Sequence, residues 1–204
     1  MIKKLLSLII CLLFLAVLYC RAQEIPGIDA YQAESDGYFM HPSMTSKGVV
    51  LTDNYGSKIY LIKNAALSEL VSAPGCGMYF NVSPDKTAIG FKLIKPDGMQ
   101  VPAIYDLEKM KVVELTGPVD LCGQVSFSNN GKIAFTIGND LHVLSDGNTQ
   151  IFNLGIYSNI APVSPDGNYV VFNDDHDQLH IIDITTGHTE HITDNTSGCI
   201  YPQW

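Results

Sequence analysis

Arginine is almost missing from this chain of 204 residues: the single copy is Arg21, and none follows it. Arginine is the side chain that reads phosphates and carboxylates with a planar, two-pronged donor. Nucleic-acid binding also needs a basic stripe that releases counterions from phosphates. Beyond residue 22 the chain holds nine lysines against 21 acidic residues, a formal charge of −12. Nucleic acid and anionic membrane surfaces are therefore poor partners, and the acidic excess reads most simply as solubility. Catalytic signatures are missing too. There is no Gly-x-Ser-x-Gly elbow and no His-Glu-x-x-His pair. No stretch past residue 22 keeps apolar residues at a 3.6-residue spacing, which argues against helices. Cysteine is sparse there, with only Cys76, Cys122 and Cys199. An odd, small number in an oxidising compartment makes no disulfide framework, so burial must hold the core.

Long apolar runs are also scarce, and the one present is at the N-terminus. Lys3 and Lys4 precede an apolar run from Leu5 to Tyr19, and Cys20-Arg21-Ala22 supplies a small-x-small ending. This is the pattern of an export signal over 1–22, cleaved after Ala22 to leave Gln23 first. The run is short for a membrane span, which needs about 20 apolar residues. An uncleaved anchor, or a lipid on Cys20, are the alternatives, and either would be the chain's only tie to a membrane. Export places the mature chain in the periplasm, at the cell surface or outside the cell.

What is present in quantity is a repeat. Ser83-Pro84-Asp85-Lys86, Ser128-Asn129-Asn130-Gly131 and Ser164-Pro165-Asp166-Gly167 each lead into an apolar strand, and Ser46-Lys47-Gly48 is a degenerate earlier copy. Aligned on the serine, with Thr45 standing for it in the first copy, the starts fall 38, 45 and 36 residues apart, a blade-like period. Proline pre-sets φ, aspartate caps its own backbone and glycine accepts positive φ, so the element is turn chemistry. Each copy continues with a polar loop, a strand such as Lys58–Ile62, Ala103–Asp106, Leu141–Leu144 or Leu179–Asp183, a short turn and an outer strand. Val, Ile, Tyr and Phe at period two between turn clusters predict an all-β chain.

The pattern Ser-Pro-Asp-Gly, apolar strand, Ile-Tyr-x-x-Asp, short turn, x-x-Leu-Thr resembles the TolB-like β-propeller repeat, over about residues 40–204. The resemblance implies a lead-in over 23–39 and four-stranded blades at about 40–77, 78–121, 122–157 and 158–198. A fifth would open at 199–204, with Pro202-Gln203-Trp204 as its innermost strand. Propellers have 4 to 8 blades and this family usually closes with six, so the expected architecture is an incomplete propeller. Full TolB carries an α/β domain ahead of its propeller, and Gln23–Met40 is too short for one. The implied function is a non-catalytic, extracytoplasmic binding or protein-interaction module. The alternative is the N-terminal propeller of a truncated prolyl-oligopeptidase-type peptidase or a related propeller enzyme.

Candidate residues fall into five sets. Ser83, Ser128 and Ser164 recur once per repeat, as turn residues do and a unique nucleophile does not. Asp174, Asp175, His176 and Asp177 are acidic enough for calcium, but sit where each blade has its hairpin turn. His188 and His191 are three apart on a strand and face opposite ways, so no metal and no cofactor is expected. Cys76 and Cys122 occupy matching places ahead of their turns. They are either small residues where blades crowd or a disulfide pair. Finally His41, Tyr79, Phe80, Tyr157, Tyr201 and Trp204 lie near the strand entrances. They are either core or the lining of an axial mouth that receives a protein, peptide or glycan.

Overall fold

The computed structural model describes residues 38–193, 198–199 and 201–204, so the export signal and most of the lead-in fall outside the described residues. The described residues hold no α-helix. Among the described residues, fifteen strands form four antiparallel sheets, and within each sheet every strand pairs with its neighbour in sequence. The first sheet is β1 (Phe39–Met44), β2 (Val49–Asp53), β3 (Lys58–Lys63) and β4 (Ala66–Ser72). The second is β5 (Asn81–Val82), β6 (Ala88–Ile94), β7 (Gln100–Asp106) and β8 (Lys111–Glu114). The third is β9 (Ser126–Phe127), β10 (Ile133–Ile137), β11 (Asp140–Ser145) and β12 (Asn148–Asn153). The fourth is β13 (Tyr169–Asn173), β14 (Leu179–Asp183) and β15 (Thr189–His191). A Val163–Val170 bridge stands where its innermost strand would run.

Burial explains the strand sequences. Strands β2, β6, β10 and β13 are each buried at three successive residues, as in Ala134-Phe135-Thr136 and Val170-Val171-Phe172. A strand covered on both faces reads as a continuous apolar run, whereas one-sided cover would give alternation. One core joins the first two sheets through Val50, Ile59, Ile89 and Phe91, and another joins the last two through Ala134, Val143, Phe172 and Ile182. The outermost strands are mostly exposed. Sheets stacked face to face with solvent-facing outer strands are the blade arrangement of a propeller.

The turns are bonded as their residues demand. The Ser83 hydroxyl donates to Asp85 Oδ1 at 2.6 Å and accepts from the Ala88 N–H at 2.9 Å. Ser128 repeats this with Asn130 and Lys132, and Ser164 with Asp166 and Tyr169. In each turn the serine N–H also donates to the carbonyl of the first strand residue or its neighbour. Gly131 and Gly167 close their turns at φ of 86° and 72°, conformations an L side chain resists. Adjacent turns interlock: the Asn129 N–H donates to the Pro165 carbonyl, and the Lys132 ammonium to the Gly167 carbonyl, both at 2.8 Å.

Candidate functional site

The innermost strands bring their entrances to one concave cavity of about 750 Å³. Counting back four residues from each turn residue gives His41, Tyr79, Gln124, Ile160 and, four before the place expected for a fifth turn, Tyr201. All five line this cavity, so one repeat position supplies it at or ahead of the first strand of each of the four sheets, and Tyr201 joins them from the C-terminal segment. Three of the five, His41, Tyr79 and Tyr201, hold left-handed backbone, with φ of 53°, 60° and 57°. Bulky residues rarely adopt that conformation. At His41 the strand also slips register between Met40 and Ser43, a bulge that re-aims the side chain.

Tyr79 and Tyr201 stack with ring centroids 5.2 Å apart, and the Tyr79 hydroxyl donates to that of Tyr201 at 2.9 Å. That hydrogen bond raises the Tyr79 phenol above its ordinary value. Phe80 is buried in the core shared by the first two sheets while contributing to the cavity wall. The Trp204 ring is half exposed, and its indole N–H donates to the Pro162 carbonyl at 2.8 Å. Of the six aromatic candidates, five meet at the cavity. Tyr157 does not.

Tyr157 is drawn into a different cluster. Its hydroxyl lies 3.0 Å from both the Cys122 carbonyl and Asn159 Oδ1. The Lys92 ammonium, reaching over from β6, donates to the same two oxygens at 3.1 and 2.8 Å. Burial pushes the Tyr157 phenol up to about 12 and the Cys122 thiol up to about 11, and lowers Lys92. Four polar groups thus tie together the second and third sheets and the approach to the fourth. This is missed in the sequence because Lys92 lies on an apolar strand and its partners follow 30 and 67 residues later.

The cysteine alternative resolves toward free thiols. Cys76 and Cys122 are both buried and no disulfide joins them. Cys76 packs in the first core, where burial raises it to about 11, while Cys122 lies in the Lys92 cluster. Crowding explains the small residues here. A Cβ on Gly123 would meet Thr136 Oγ1 at 2.4 Å and the Ser158 and Asn159 carbonyls at 2.9 and 3.0 Å.

The acidic loop is a turn whose ligand-type atoms on Asp174, Asp175 and His176 lie within 4.8 Å of one another. Asp174 Oδ1 accepts from the His176 and Gln178 N–H groups, and Oδ2 from His180. The His180 bond holds Asp174 down to about 2. His191 has its neighbour across the strand and not along it: His180 and His191 pair in register and stack at 4.8 Å, with Phe172 on the far side of His180. His188 instead faces Glu190.

The fold defines a class: an all-β chain of blade-like antiparallel sheets, as in a β-propeller. Among solved structures, the chain is similar to TolB from Acinetobacter baumannii, at 19% identity and a TM-score of 0.57, over 77% of this chain and 44% of that one. It is likewise similar to a protein described as putative TolB from Agrobacterium tumefaciens, at 16% identity and a TM-score of 0.58, over 78% of this chain and 62% of that one. A chain of the Mitotic Checkpoint Complex matches at 13% identity and a TM-score of 0.53, over 74% of this chain and 49% of that one. The chain therefore spans less than two thirds of the TolB structures it resembles. No family model and no curated protein sequence matches it.

Proposed function

We propose that this chain is an extracytoplasmic binding module, without chemistry of its own, that takes its ligand or partner in the cavity on its innermost strands. The observation that carries this reading is that one repeat position, at or ahead of the first strand of each of the four sheets, converges on that cavity, together with Tyr201 of the C-terminal segment. Export rests on the Lys3–Ala22 segment and agrees with the arginine-free, acidic remainder. The absence of chemistry rests on the serines: Ser83, Ser128 and Ser164 are buried and each hydroxyl is committed to its own turn. A nucleophile needs a base within reach and an accessible oxygen.

The test is to immobilise the full chain and the Trp204→Ala variant and expose both to a periplasmic extract. A species retained by the native chain and lost from the variant is the expected result. Equal retention by both would place recognition elsewhere, and hydrolysis of a peptide panel by the purified chain would replace the binding role with an enzymatic one.

A further inference from the structure

We propose that the ligand taken in this cavity is an uncharged oligosaccharide, held by stacking on aromatic faces and by carboxamide side chains. The inference rests on the cavity being the ligand site, and narrows it to one chemistry. Three independent observations point there.

The first is charge. The chain is 16% Asp, Glu, Lys and Arg, yet none of these four residue types is among the described residues lining the cavity. A ligand bearing phosphate, sulfate or carboxylate would find no cation there. An extended cationic peptide would find no carboxylate.

The second is the state of the polar groups. The Trp204 N–H is already spent on the Pro162 carbonyl, the Tyr79 hydroxyl on Tyr201, and the Asn81 amide on the Val125 carbonyl at 2.8 Å. Among the buried polar atoms the one left without a partner here is an acceptor, while the Tyr201 hydroxyl, accepting from Tyr79, keeps its own hydrogen to donate. Gln124 is only 4% exposed and lines the cavity, and its Oε1 has no hydrogen bond. That acceptor is shut off from the open cavity as it stands, so a ligand's donor meets it only when the carboxamide turns outward. A proline-rich segment, the usual guest of an aromatic groove, has carbonyl acceptors and few N–H donors. It would leave Gln124 unanswered. A sugar hydroxyl both donates and accepts, and the planar carboxamides of Gln124, Asn129 and Gln203 can meet neighbouring hydroxyls in the same way.

The third is the presentation of the rings. Tyr201 and Trp204 are each about half exposed, at 51% and 52%, with their polar atoms turned back to the protein. Faces are therefore what they offer. Left-handed backbone at His41, Tyr79 and Tyr201 holds rings at the entrance where an extended strand would aim them elsewhere. Strained positions of this kind gather at ligand sites. The C–H face of a pyranose ring matches such a surface by dispersion and burial.

Trp204 is the only tryptophan in the chain, so its emission reports on the cavity directly. The full chain is titrated with cellohexaose, maltohexaose and chitohexaose, with a galacturonate oligomer as the charged counterpart and with decaproline as the peptide counterpart. A saturable change with a neutral hexasaccharide is expected. The Tyr79→Gly variant, which removes a ring and suits the positive φ, should weaken it about tenfold. Gln124→Ala should weaken it about fivefold, and Ser145→Ala, on a remote hairpin, should leave it unchanged. Calorimetric titration of Tyr201→Gly, with its urea midpoint, guards against a variant that misfolds. Tighter binding of galacturonate than of any neutral sugar would overturn the proposal, as would silence toward all saccharides. Saturation by decaproline alone would overturn the saccharide while leaving the cavity as the binding site. If no probe binds and the Trp204→Ala retention test also shows no difference, both readings fall.

Discussion

At the turn after each innermost strand, Ser83, Ser128 and Ser164 repeat one residue in one set of hydrogen bonds. Four residues earlier, His41, Tyr79, Gln124, Ile160 and Tyr201 share a place in the repeat but neither residue type nor backbone conformation. The turns are satisfied locally: each buried hydroxyl finds an acceptor two residues on and a donor four or five residues on. The entrances contain strain, half-exposed rings and an orphan carbonyl. One end of the strand is uniform because every blade must solve the same turn. The other end varies because it faces a cavity shared by all of them. Stability is expected to reside at the first end and recognition at the second.

The sharpest way to break that contrast is to disturb the crowding between blades without touching either end. Gly123→Ala puts a methyl against Thr136 and two backbone carbonyls, and should cost about 3 kcal/mol in urea unfolding, as overpacking does. Next comes the turn. Ser164→Ala removes a buried hydroxyl that donates to Asp166 and accepts from the Tyr169 N–H, and a loss of about 2 kcal/mol is expected in the same assay. A Ser164 variant that melts like the native chain would deny the turn its structural role.

The entrance should behave in the opposite sense. Tyr79→Gly and Tyr79→Ala both remove the stack on Tyr201, but only glycine is at ease at φ 60°. The glycine variant should therefore be the more stable of the two by about 1 kcal/mol. Equal stabilities would mean that the left-handed backbone stores no strain. The smallest effect is with pH. Asp85, Asp166 and Asp174 all sit below the ordinary carboxylate value, the first two chiefly through their turn serines and Asp174 chiefly through His180. For Asp174 this contributes stability that is present above about pH 4 and is lost as pH falls through about 2, and Asp85 and Asp166 act in the same direction. Urea midpoints should fall across that window, and Asp174→Asn should flatten the slope.

Much of the architecture could be read along the chain. The serine turns announced the repeat, and the apolar runs between them announced strands covered on both faces. These signals are local: a few adjacent residues suffice for a turn, and period or continuity over five residues suffices for a strand. The meeting of His41, Tyr79, Phe80, Tyr201 and Trp204 follows from their common nearness to the strand entrances. Tyr157 breaks that inference because its hydroxyl turned to the Cys122 carbonyl and not to the cavity. The Lys92 cluster and the His180–His191 stack were not legible, since cross-strand register and contacts between blades made both.

The order of residues alone settled where the chain turns, which segments are strands and that the blades repeat, because hydrogen bonding within a turn and burial of a strand face are decided by near neighbours. Folding in three dimensions decided which rings share a cavity, that the thiols of Cys76 and Cys122 stay apart, and that Gln124 keeps a carbonyl unanswered. Those outcomes depend on distances between blades 40 or more residues apart, and no local pattern encodes a distance.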